Sequence, residues 1–148
     1  MRQLMKASLI AMMFAMPAAM AQNASPAGMW KTIDDETGKP KSLVRITDEN
    51  GVLTGKIEKL FRPADQDQNP KCTACEGARK DQPIIGMTIL SGLKKDGNEY
   101  TGGEILDPSK GKTYKSKAAL KDNGSKLEVR GYIGAPMFGR SQTWVREQ

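Results

Sequence analysis

Cys72 and Cys75 are the two cysteines of the 148-residue chain, set in the stretch NPKCTACEGARKDQP (69–83), and no histidine occurs anywhere. A Cys-x-x-Cys pair can be a redox dithiol, half of a zinc site, or a small structural ring. A thioredoxin-type dithiol needs its first thiol at a helix N-terminus, which lowers the thiol pKa. No βαβ pattern surrounds this pair. Zinc takes four Cys or His ligands, and only two such residues exist. In an exported protein, which the N-terminus indicates, two neighbouring thiols oxidise. The expectation is a Cys72–Cys75 disulfide that pins a loop. Closing so small a ring constrains the unfolded chain by only about 2 kcal/mol. A redox pair and an intermolecular metal site are the other two readings.

The absence of histidine removes the commonest general base and every Ser-His triad. Acid–base work would fall to carboxylates or lysine. Asp34, Asp35 and Glu36 cluster, as do Asp65 and Asp67, but both groups sit in turn contexts where Asp caps backbone N–H groups. Asp65 to Asn69 alternates oxygen ligands without the glycine and distal acid of a calcium loop. Gly102-Gly103 lacks the spacing of a phosphate loop, and Gly111-Lys112-Thr113 reads as a hairpin turn behind Pro108. No catalytic residue, metal site or cofactor is expected. The densest constellation is RGYIGAPMFGRSQTW (130–144), with Arg130, Tyr132, Met137, Phe138, Arg140, Gln142 and Trp144. It is either a barrel corner plugged by aromatics or a mouth where arginine grips an anionic head group.

Those residues must be positioned by strands. Segments 28–33, 42–47, 52–61, 84–90, 100–106, 113–120, 127–133 and 140–146 alternate with turn signals, the spacing of an all-β barrel or sandwich. In the sixth, Tyr114, Ser116, Ala118 and Leu120 face one way and Lys115 and Lys117 the other. In the seventh, Leu127 and Val129 oppose Glu128, Arg130 and Tyr132. Strict alternation implies one wet face and one buried face. Eight strands with no helix to cover them need closure to remove their edges. The expectation is a small eight-stranded, mostly antiparallel up-and-down barrel. Its one long connection, 62–83, carries the cysteines. Small residues at 116 and 118 leave room inside, so Tyr114, Ser116, Ala118, Arg130, Tyr132, Phe138 and Arg140 are the candidate ligand-binding residues.

Arg2 and Lys6, the apolar run 7–16 and Ala19-Met20-Ala21 fit a signal peptide cut after Ala21. The run is too short for a membrane span, which needs about 20 apolar residues. Gln22 rather than Cys follows the cut, so a lipoprotein is not expected. The domain is then 22–148, soluble and periplasmic. Losing Arg2 and Lys6 lowers the net charge from +6 to +4. The remaining charges are scattered along strands, unlike a nucleic-acid stripe.

GMWKT, DDETGKPKSLVRI, CTACEG, PIIGMTIL, GGEILDPSKGKTY and LEVRGYIGAPMFGRSQTW together resemble the exported bacterial family catalogued as domain of unknown function 2147 (DUF2147). The resemblance implies a small periplasmic protein with a lipocalin-like barrel, and it carries over no catalytic residue. Gly28-Met29-Trp30 is also similar to the first-strand Gly-x-Trp of lipocalins, whose partner is an arginine near the last strand. Arg140 or Arg146 could supply it. The expected function is non-enzymatic binding of a small amphipathic or anionic molecule. The alternatives are an envelope or protein-interaction module with a filled barrel, a thiol–disulfide accessory using Cys72 and Cys75, or a histidine-free hydrolase.

Overall fold

A computed structural model describes residues 25–147. The expected signal segment, 1–21, lies outside the described residues. Eight strands follow in chain order: β1 (Gly28–Ile33), β2 (Pro40–Glu49), β3 (Val52–Leu60), β4 (Thr88–Asp96), β5 (Glu99–Asp107), β6 (Lys112–Lys121), β7 (Lys126–Tyr132) and β8 (Gly139–Arg146). Each pairs antiparallel with the next, and β8 returns to β1 to close the barrel. Two three-residue 3-10 turns, Gly77–Arg79 and Asp122–Gly124, are the helical segments among the described residues.

The two-residue period selects the inner face. Along β6 and β7 the register sets Ser116 beside Gly131 and Ala118 beside Val129. Ser116, Ala118 and Val129 are buried, while Lys115 and Glu128 face water. Pairing residue to residue carries that parity around the barrel, because a slip of one position would expose every apolar group. The second strand runs two residues past each expected end, to Pro40 and Glu49, and the fourth differs most. The fourth strand starts at Thr88, not at Ile84, and runs on through Ser91-Gly92-Leu93-Lys94-Lys95 to Asp96. That largely polar stretch reads as a turn in the sequence. It forms one arm of a hairpin in which Leu93 enters the core while Lys94 pairs with Thr101 and Asp96 with Glu99. Only Gly97 and Asn98 are left as the turn, with Gly97 at φ 61°.

One half of the barrel is solid. Trp30, Val44, Ile46, Leu53, Leu90, Leu93 and Leu127 are fully buried there. Large side chains fit because their neighbours are small. A side chain at Gly103 would collide with Leu93, and one at Gly55 would press on Leu90 and Val44.

The end of this half is sealed by Arg146. Its guanidinium carbon lies 4.4 Å from the centre of the Trp30 ring. Its three nitrogens donate to Gly124 O (2.8 Å), Ala27 O (3.0 Å) and Ser25 O (2.8 Å). The Trp30 indole donates to Pro26 O at 2.8 Å. Of the two expected arginine partners for Trp30, Arg146 is the one used. Burial lowers its pKa from the ordinary value.

Candidate functional site

The other half of the interior is not filled. It opens as a cavity of about 950 Å³, with Ile57, Ile89, Leu106, Val129 and Trp144 among its walls. Trp144 forms part of the floor, and its indole donates to Gln142 Oε1 at 3.2 Å. Thr32 and Ser42, a buried hydroxyl pair 2.6 Å apart, also line it. The volume is at the upper end of small-molecule pockets, and apolar walls with a few placed polar groups are their usual composition.

Chain geometry explains why this end is open. The β1–β2, β5–β6 and β7–β8 connections and the long β3–β4 connection all meet here. Residues 61–87 form the last of these, and Arg62, Pro63, Gln66, Pro70, Lys71 and Ile84 roof part of the mouth. The segment is stitched to itself. Cys72 N donates to Gln82 O (2.8 Å), Asp81 N to Cys72 O (2.9 Å) and Ile84 N to Pro70 O (3.0 Å). The sulfurs of Cys72 and Cys75 are bonded, with Cα atoms 5.3 Å apart. Both cysteines are buried. Their ring rests on the β5–β6 turn, so closely that a side chain at Gly111 would overlap the Ala74 carbonyl. The disulfide thus fixes a roof segment against the barrel.

The rim carries Lys41, Arg62, Lys71, Lys110 and Arg140, with Asp34, Asp35 and Asp107 between them. The carboxylates are occupied. Asp34 Oδ1 accepts from Glu36 N and Thr37 N at 2.9 Å. These backbone bonds hold its pKa below the ordinary 3.8. Asp107 Oδ1 accepts from Ser109 N (2.9 Å) and Ser109 Oγ (2.6 Å). Asp35 meets Arg140 at 3.0 Å. Lys41, Lys71 and Lys110 form no ion pair among the described residues. The mouth therefore offers unpaired ammonium groups above an apolar chamber. No cluster of three or more metal-ligating Cys, Asp or Glu residues occurs among the described residues.

Of the candidate ligand-binding residues, Tyr114, Tyr132, Phe138 and Arg140 are brought together at the wall and rim. Ser116 and Ala118 are not. They lie in the packed half, where Ser116 Oγ is buried without a hydrogen-bond partner in the protein. Enlarging Ala118 would therefore strain the core and leave the chamber open. Arg130 shares no wall of the cavity either. Its position on β7 puts it on the outer parity, where it braces the β7–β8 turn. Ile57, Ile89, Leu106 and Gln142 are wall residues that the expected site lacked. The parity signal for Gln142 was present, since it alternates with Arg140 and Trp144 on β8. Asp34 and Asp67 act as turn caps, as their context implied, with Asp67 Oδ1 accepting from Asn69 N at 2.9 Å, while Asp35 instead pairs with Arg140.

A closed, up-and-down, eight-stranded barrel with an apolar chamber at one end and a Trp–Arg seal at the other defines a lipocalin-like architecture. The family described as "Uncharacterized protein conserved in bacteria (DUF2147)" matches residues 28–146, and the chain belongs to it. Among solved structures, it is similar to protein HP1028 from Helicobacter pylori, described as belonging to the lipocalin family. The two share 24% identity over 84% of each chain, with a TM-score of 0.70. That likeness shows the fold. No curated protein matches the chain.

Proposed function

We propose that the protein is exported to the periplasm and holds one small amphipathic anion in the open half of its barrel, without catalysing a reaction. The observation that carries this reading is the chamber of about 950 Å³ beneath unpaired rim lysines. An alkyl tail of a fatty-acid-like molecule would displace water from the walls at Ile57, Ile89 and Val129. Its carboxylate would remain at the mouth within reach of Lys41, Lys71 or Lys110. Non-enzymatic binding is supported by the absence of histidine and by rim carboxylates already engaged in turns and an ion pair. A filled barrel acting only as an interaction module leaves the chamber unexplained. Burial of both cysteines disfavours thiol exchange, which requires access to sulfur.

Titration with a fluorescent polyene fatty acid, its alcohol and the matching alkylamine tests the proposal. The acid should bind saturably at one site, the alcohol more weakly and the amine least. Val129→Phe should weaken the acid by about tenfold or more, because it fills the chamber at the cost of favourable tail burial. Equal binding of acid and amine, or undiminished binding in a folded Val129→Phe protein, would contradict it.

A further inference from the structure

Ile133, Met137 and Phe138 are 68, 76 and 67% exposed, all on or beside the β7–β8 turn. Large apolar groups held in water oppose the main driving force of folding, yet this turn is not slack. Ile133 N donates to Phe138 O (3.1 Å) and Phe138 N to Ala135 O (2.9 Å). From below, the Arg130 guanidinium donates to Pro136 O (2.6 Å), Ser141 Oγ (2.9 Å) and Gly139 O (3.3 Å). The braced backbone holds the three apolar side chains largely in water at the edge of the mouth.

Cations gather on one side of this tip. From Pro108 to Lys117 the β5–β6 turn and the first half of β6 carry Lys110, Lys112, Lys115 and Lys117 and no acid, and Lys115 pairs with Tyr132 at the base of the tip. Of the rim acids nearby, Asp107 is held by Ser109. Glu99 takes Lys117 and Asp35 takes Arg140. Lys110, Lys112 and Lys115 form no ion pair among the described residues.

We infer that the open end of the barrel docks on an anionic phospholipid bilayer, with Met137 and Phe138 entering the interfacial layer and Lys110, Lys112 and Lys115 meeting the head groups. Apolar groups on an exposed turn, flanked by unpaired lysines, suit the acyl–headgroup boundary, and anionic lipid attracts each such cation. Three side chains on one turn fall well short of the roughly 800 Å² per partner that a stable protein interface buries. Ile133 and Phe138 also border the cavity, so docking would turn the mouth toward lipid. The inference concerns the outer rim and stands whether or not the chamber takes an anion.

The test is co-sedimentation with phosphatidylcholine vesicles, with and without one-quarter phosphatidylglycerol. The protein should partition onto the anionic vesicles, and added salt should release it. Met137→Ser/Phe138→Ser should lower the partition coefficient by about tenfold or more, since two large apolar side chains no longer insert. Both residues are solvent-facing, so an unchanged melting temperature should accompany the loss. In a second variant, Phe138→Trp, the added indole emission should shift to the blue on anionic vesicles and be quenched by brominated acyl chains. Failure of the protein to sediment with anionic vesicles would overturn the inference. So would equal partition of the double variant, unshifted emission from the bound Phe138→Trp protein, or a concentration-dependent dimer that the double variant abolishes.

Discussion

The two ends of the barrel are built from the same eight strands but solve opposite problems. At the sealed end, Trp30 fills the bore and the Arg146 guanidinium caps it with three backbone bonds and a cation–π contact. At the open end, Arg140 sits on the same strand with the same parity, yet it reaches only Asp35, across a wet mouth. The difference is burial. A charge surrounded by protein carbonyls and an aromatic face is a structural bolt, whereas an exposed ion pair contributes about 0–1 kcal/mol. Stability is thus concentrated at one end, which leaves the other free to stay hollow.

Truncation is the harshest way to break this contrast. Trp30→Ala should cost about 3–5 kcal/mol in urea unfolding, because it leaves a void in a packed core. Ile89→Ala should cost less, about 1–2 kcal/mol, since the removed atoms already face open volume and only their transfer term is lost. Equal costs would mean that the two halves are packed alike. Arg146→Ala should cost about 2–3 kcal/mol, as charge-assisted bonds to three carbonyls disappear. Arg146→Lys should recover less than half of that, lacking the planar fork. Arg140→Ala, its open-end counterpart, should stay within about 0.5 kcal/mol.

The roof segment gives a smaller and more local effect. Cys72→Ser should lower stability by no more than about 2 kcal/mol. Faster amide exchange should be confined to residues 61–87 and the β5–β6 turn; loss of the whole fold would show the ring to be a global staple. The smallest effect concerns pH. The folded-state pKa of Asp34 lies below its ordinary 3.8, owing to the backbone bonds from Thr37 and Glu36. Its stabilisation is therefore complete above the unfolded value and fades as pH falls through the folded one. Asp34→Asn should destabilise the β1–β2 turn slightly at neutral pH, and its deficit should shrink below pH 3.8. A deficit independent of pH would remove that assignment.

Most of the fold is legible in residue order because alternation on β6 and β7 has one solution: lysines outside, Ser116, Ala118, Leu127 and Val129 inside. The Trp30 seal is legible to within two arginines, since Arg140 and Arg146 share a parity and only the third dimension ranks them. β4 escapes local pattern because Lys94, Lys95 and Asp96 resemble a turn until Thr101 and Glu99 pair with them. The site is half legible. Parity says which residues point inward but not at what height, so it groups Ser116 and Ala118 with Tyr114 although they lie in the packed half. Lys71 and Ile84 reach the mouth only because the β3–β4 segment folds back over it, a path that local pattern does not encode.

Each end of the barrel contains one tryptophan, which makes the central claim directly measurable. Trp144 borders the chamber and Trp30 lies under the Arg146 seal. In nitrogen-15 correlation spectra their indole N–H groups give two separate reporters. Titration with dodecanoate should move the Trp144 indole resonance in a saturable manner and leave that of Trp30 in place. A saturable shift at Trp30 with Trp144 unmoved, or no shift at either under excess dodecanoate, would contradict an anion-binding chamber at the open end.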